Sequence, residues 1–171
     1  DDEGVLPASF ELACREHRIK AIYLVPTMDN PTTATMSLTR RQQMVAVANE
    51  YDITIIEDDP YSPLQTEAVK AIVDLAADRT WYVRTLSKCI TPALRLAYVI
   101  APSNSHALGL ANVLRAISVM ASPLMAALVT RWIYRGYSGR KSSASTDCQP
   151  IISRNGFLQS SGRPSYLATT P

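Results

Sequence analysis

The chain has 171 residues, 47% of them hydrophobic and 19% charged, with a formal net charge of +2. That length suits one domain, and that apolar content can fill a core, so compositional disorder is excluded. A charge so near neutral also lacks the basic stripe with which nucleic-acid binders grip phosphates.

The first residues, DDEGVLPASF, are acidic and carry no apolar signal core. Residues 7–18, PASFELACREHR, read as a helix. Pro7 suits its first turn, and Phe10, Cys14 and His17 recur roughly on one face. KAIYLVP (20–26) is a short β-rich run stopped by a proline. TMDNPTTATM is a loop with turn chemistry at Asn30-Pro31. Ser37 can cap the following helix, LTRRQQMVAVANEYD, whose Leu38, Val45 and Ala48 share a face. ITIIE (53–57) is β-branched and suits a central parallel strand. EDDPYSP is a loop, and 66–77 reads as a helix. TWYVRTLS and LAYVIAP read as two more strands. The uncharged run between Arg115 and Arg131 is too short to span a bilayer comfortably and is broken at Ser122-Pro123, so it reads as a buried helix pair.

Strands alternating with helices predict an α/β layered domain with a mostly parallel sheet. In such sheets ligands bind beyond the carboxyl ends of the strands. Three polar signatures, DNPTT, EDDPY and TLSK, each follow a strand. Lys88 follows an apolar strand between small residues, a setting in which desolvation turns an amine into a nucleophile. A nearby guanidinium, Arg95, with the hydroxyls of Thr85 and Ser87, matches a phosphate. An aspartate at a strand end can keep a pyridine nitrogen protonated. Lysine and acid together are what a protein contributes to pyridoxal phosphate chemistry. The Tyr61 phenol and the Asn30 amide could hydrogen-bond the ring oxygen. Each residue also has a plainer role: Asp58 and Asp59 as turn acids, Arg95 as a carboxylate partner, Tyr61 as packing. His17 and His106 read as surface residues without a metal site. Trp81 and Trp132 read as core. Cys14, Cys89 and Cys148 have no metal-like spacing and fit a cytosolic chain with free thiols.

Four stretches, YLVPTMDNPTTATMSLTRR, IIEDDPYSPL, TLSKCITPALRLAYVIAP and VMASPLMAALVTRWI, occur in an order that resembles fold-type I pyridoxal phosphate enzymes, the class I/II aminotransferases. The likeness is strongest to the aminotransferase-like domain of MocR regulators, a branch of the GntR family. It implies a three-layer α/β sandwich, with residues 1–136 forming part of the large domain. It also implies that Lys88 is the Schiff-base lysine and Asp58 the partner of the ring nitrogen. Tyr61 and Asn30 would meet the ring oxygen, and Thr85, Ser87 and Arg95 the phosphate. Asp59 takes the place of Asp58 if the register is off by one. The usual NPTG is NPTT here, and PGLRLGY is PALRLAY.

The resemblance further implies a cytoplasmic protein, without membrane contact, that takes an amino acid or amine ligand. The intact parent would be a homodimer, reaching DNA only through a separate winged-helix domain. Its parent function would be effector sensing in a transcription regulator; a free-standing aminotransferase and a remnant that neither binds nor catalyses are the alternatives. The family's glycine- and serine-rich phosphate turn, its stacking aromatic and its substrate-carboxylate arginine have no match in the chain, which reads as an internal fragment. Residues 137–171 are Ser/Thr-rich and irregular. Read one base later, a permitted codon choice for Arg154–Pro171 gives E-M-A-F-S-S-H-P-A-G-L-H-I-W-L-P-P, similar to the family's HPAGLHxWLPLP segment, as a frame-shifted tail would be.

Overall fold

Thr54, Ile55 and Ile56 are β-branched and open a strand flanked on both sides by parallel neighbours. The computed structural model describes residues 1–65, 67, 69–118, 121–135 and 166–168. Its five-stranded sheet has the order β1 (Ala21–Leu24), β2 (Thr54–Asp58), β3 (Thr80–Thr85), β4 (Ala97–Ile100) and β5 (Tyr166–Ala168). β1, β2 and β3 are parallel; Tyr23 lies beside Ile56 and Asp58 beside Val83. β4 runs against β3, and β5 against β4, so four of the five strands point one way. The α/β class with a mostly parallel sheet is what forms.

Helices cover both faces. α1 (Pro7–Glu16) and α2 (Leu38–Glu50) share a core with the β1–β2 end of the sheet, through Phe10, Leu24, Met44, Ala48 and Ile55. α4 (Pro123–Arg135) packs Val129 against Leu86, Leu94 and Leu96, next to β4. α3 (Asn104–Ile117) meets the opposite face, where His106 lies edge-on to Trp81 with ring centroids 5.8 Å apart. Three layers result. Among the described residues no helix is long and apolar enough to cross a membrane.

Ser37 caps α2 as its sequence suggests, its Oγ accepting from Arg40 N at 3.2 Å. The face of α2 differs from the expected one. Val45 and Ala48 are buried, but Leu38 is exposed and the buried stripe runs through Arg41 and Met44. Arg41 lies four residues before Val45, and backbone carbonyls satisfy its guanidinium, so the position can be internal. His17 does not continue the α1 stripe; it is exposed and caps the helix.

Among the described residues of 66–77 the expected helix does not form. Its described part holds only a single 3-10 turn, Ile72–Asp74. The Ile72 and Val73 amides donate to the Glu57 carboxylate at 2.9 and 2.8 Å instead of to preceding carbonyls. The helix pair expected near Arg115–Arg131 exists as α3 and α4 but is not buried. Each helix presses one stripe inward, at Ala107 and Val129, while Ile117 and Leu124 are 78% and 72% exposed. Trp81 and Trp132 are half-buried rather than fully internal. Of the irregular tail, residues 166–168 form a strand, because β4 offers a free edge for pairing. The frame-shifted reading falls almost wholly outside the described residues.

Candidate functional site

Side chains alternate along β2, and the alternation sorts three consecutive acids. Glu57 points into the covered face, Asp58 to the other, and Asp59, just past the strand, is buried again. Glu57 accepts the two loop amides and lies 3.9 Å from the Arg41 guanidinium. Burial pushes its pKa from 4.5 up to about 7, and the charge of Asp59 adds to the rise. Asp59 accepts from Ser62 N at 3.1 Å, from Ser62 Oγ and from Tyr82 Oη at 2.6 Å. The Tyr82 phenol is held well above its ordinary pKa, first by burial and then by Asp59. Asp59 therefore has the role of a turn acid, locking the chain that leads through Tyr61. Asp58 is half-buried on the other face, where Tyr23 Oη donates to its Oδ2 at 2.5 Å.

The loops carrying the remaining predicted residues all leave the sheet at one end of its strands. β1, β2 and β3 are parallel, so the segments after Leu24, Asp58 and Thr85 leave from the same side. They carry Asn30, Tyr61, and Ser87 with Lys88. Arg95 reaches that side from the other direction: β4 is antiparallel, and its first residue, Ala97, pairs with Thr85. Leu86 N donates to Leu96 O at 3.4 Å and ties the two segments together.

Local structure sets each loop. Asn30 lies in a turn closed by Asp29 N to Ala34 O at 2.9 Å and braced by Thr32 Oγ1 to Asp29 Oδ2 at 2.7 Å. The Asn30–Pro31 bond is cis, and Met28 and Thr33 on either side have φ of 53° and 59°. Thr33 stands where the resemblance expects glycine, and a β-branched residue in the left-handed region is strained. Arg41 anchors both ends of this loop, donating to Pro26 O, Thr27 Oγ1 and Met36 O. Tyr61 is half-buried and starts a 3-10 turn at Ser62–Leu64. Lys88 is exposed in a turn closed by Ile90 N to Leu86 O at 2.9 Å. Its amine has no hydrogen-bond or ion-pair partner among the described residues. Buried Leu86, Cys89, Leu94 and Leu96 seat the segment from Lys88 to Arg95 on α4. Arg95 is exposed with φ of 47°, turning the chain into β4.

The donor set at this end suits a phosphorylated pyridine aldehyde. It comprises a carboxylate whose described partner is one phenol, an amine without a described partner, two hydroxyls and a guanidinium. Two contributors escaped the sequence reading. Tyr23 was given no role of its own within KAIYLVP, although it lies on the face of β1 that register places beside Ile56 and Asp58. Arg41 was left out of the expected buried face, although its spacing to Met44, Val45 and Ala48 was the available sign of burial.

Comparison with known proteins agrees with this architecture. A family model described as aminotransferase class I and II matches residues 10–136. The uncharacterized HTH-type transcriptional regulator YdeF of Bacillus subtilis is 33% identical over 133 residues, covering 78% of this chain and 29% of that protein. The uncharacterized HTH-type transcriptional regulator YdcR of Escherichia coli is 32% identical over 138 residues, covering 79% of this chain and 29% of that protein. A Pyrococcus horikoshii kynurenine aminotransferase, solved with PMP, superposes with a TM-score of 0.75 at 28% identity, covering 80% of this chain and 36% of that one. The chain thus spans less than a third of these curated relatives. It belongs to the aminotransferase class I and II family.

Proposed function

We propose that this member of the aminotransferase family supplies part of a pyridoxal phosphate site, with residues 1–136 as the domain unit. Pyridoxal phosphate is the family's cofactor, and when bound it supplies an electron sink for chemistry at an amine-bearing carbon. In this reading Lys88 links to it covalently and serves as the amine that moves a proton. Asp58 holds the ring nitrogen in its protonated form, as an anion beside a cation. Tyr61 and Asn30 hydrogen-bond the ring oxygen. Thr85, Ser87 and Arg95 hold the phosphate, Arg95 as a charge-assisted donor. Asp59 is left out, because its acceptor capacity is taken by Ser62 and Tyr82. The observation that supports the proposal is that the segments carrying all these residues leave or enter at one end of the strands, through three parallel strands and one antiparallel one.

For the intact parent we propose effector sensing in a MocR-type regulator, a cytoplasmic homodimer that binds an amino acid or amine and reaches DNA through another domain. The HTH-type transcriptional regulators among the relatives support it. A free-standing aminotransferase is the second reading, favoured by the superposition on a kynurenine aminotransferase.

The test is covalent. The chain is titrated with pyridoxal 5′-phosphate, reduced with borohydride and mapped by mass spectrometry. The expected result is a visible absorbance band and a single label on Lys88. No band, or label scattered over surface lysines such as Lys20 and Lys70, would instead identify a remnant without a cofactor site.

A further inference from the structure

Tyr23 occupies a position that the proposed chemistry does not use. It is the third residue of β1, two residues before the strand's side chains give way to the loop that carries Asn30. Strand register sets its side chain on the same face as Ile56 and Asp58. Its hydroxyl reaches across the β1–β2 ladder and donates to Asp58 Oδ2 at 2.5 Å. The residue as a whole is 59% exposed, so packing alone does not explain the side chain's orientation. An exposed tyrosine aimed at the one unburied member of a three-acid run needs another account.

We propose that Tyr23 is a positioning residue for Asp58, holding its carboxylate by one oxygen so that the other faces the ring nitrogen of pyridoxal phosphate. This deepens the reading above and rests on it. A carboxylate at the end of a strand rotates freely about its last bond, whereas one oxygen pinned by a phenol fixes the plane of the group. The phenol donates and cannot compete as a base. Its own pKa is pushed up to about 12, by burial first and then by the hydrogen bond and charge of Asp58, with Asp29 contributing. Tyr23 therefore remains a donor at neutral pH.

Two measurements test the proposal. The first needs no cofactor. The chain is labelled with ring-¹³C tyrosine, and each Tyr23 resonance is followed through alkaline pH in wild type and in Asp58→Asn. Tyr23 is expected to titrate late in wild type and clearly earlier in Asp58→Asn, where the anionic acceptor is gone. A Tyr23 titration indifferent to Asp58→Asn would overturn the inference. The second measurement compares pyridoxal 5′-phosphate binding by wild type and Tyr23→Phe, a change that removes only the hydroxyl. Loss of one hydrogen bond to a charged group is expected to weaken binding about threefold to tenfold and to shift the pH dependence of the visible band. Tyr23→Leu should do no worse than Tyr23→Phe, because the hydroxyl and not the ring is responsible. Equal affinity and an unmoved band in Tyr23→Phe would overturn the role. If wild type itself binds no cofactor, the reading of the site fails, and the role of Tyr23 toward the ring nitrogen fails with it. The titration then still separates that failure from the failure of the Tyr23–Asp58 contact.

Discussion

The two faces of β2 handle charge in opposite ways. On the covered face Glu57 and Asp59 are almost wholly buried, and their oxygens accept from amides, a hydroxyl and a phenol, with a guanidinium near Glu57. On the other face Asp58 is half-buried and meets a single tyrosine. Three consecutive acids thus divide into two that hold the fold and one left available to a ligand. The strand's two-residue period makes the division, since neighbouring side chains cannot share a face. Buried charge costs stability unless its partners are complete. The expected damage from mutation therefore differs sharply between the faces.

The largest effect is expected at Arg41. It is 2% exposed and donates to Met36 O at 3.1 Å, Lys70 O at 3.3 Å, Pro26 O at 3.0 Å and Thr27 Oγ1 at 2.9 Å. Arg41→Met leaves those acceptors unsatisfied and deprives Glu57 of its cation. A loss of about 3–5 kcal/mol is expected in urea unfolding. Arg41→Lys should recover little of it, since one ammonium cannot span four acceptors. A loss below about 1 kcal/mol in Arg41→Met would mean that the covered face does not carry the stability assigned to it.

Next comes the pH dependence that Glu57 imposes. Its pKa rises on folding from 4.5 to about 7, so between those values the folded chain binds more protons than the unfolded one. The stabilisation from protonated Glu57 is complete below about 4.5 and is lost as pH rises through about 7. The difference amounts to about 3 kcal/mol. Glu57→Gln removes the titration. Comparing wild type with Glu57→Gln across that window should show the wild type losing ground as pH rises, whatever constant offset the amide introduces. A parallel pair of curves would show that Glu57 is ionised throughout.

A gain is expected at the loop on the open side. Thr33 has φ of 59°, where a residue with a branched Cβ is strained and glycine is not. Thr33→Gly relieves that strain but gives the unfolded chain more freedom. The net expectation is a gain of about 0.5–1 kcal/mol, read from the thermal midpoint. Destabilisation would mean that the Thr33 hydroxyl, which donates to Thr32 O at 2.7 Å, matters more than the backbone angle.

Local chemistry made much of this legible. The β-branched run of β2 formed a central parallel strand, and Ser37 capped α2, because both depend on neighbours in sequence. The placement of polar loops after strands pointed to one end of the strands for the same reason. What escaped was tertiary. The helix expected over 66–77 was undone by Glu57, a residue fifteen positions upstream of Ile72 that captures its amide. Tyr23 gained meaning only from a β2 partner thirty-five residues away. The choice between Asp58 and Asp59 stayed open in the text, since both are acids near a turn, and only strand direction separates their surroundings. The exposure of Ile117 and Leu124 was equally hidden, because an apolar helix reads the same whether or not a neighbour covers its second stripe.

The smallest effect on stability is expected where the effect on binding is greatest. Lys88 is exposed and has no described partner, so no hydrogen bond or ion pair is lost when its amine is removed. Its turn is held by backbone bonding and by the burial of Leu86 and Cys89 on α4, none of which involves the amine. Lys88→Ala should therefore change unfolding stability by no more than about 0.5 kcal/mol. The same substitution should abolish the borohydride-trapped label and the visible band with pyridoxal 5′-phosphate. A stability loss of several kcal/mol would place the amine in the architecture, and would move Lys88 to the same side of the comparison as Arg41. A preserved band would remove Lys88 from the proposed chemistry.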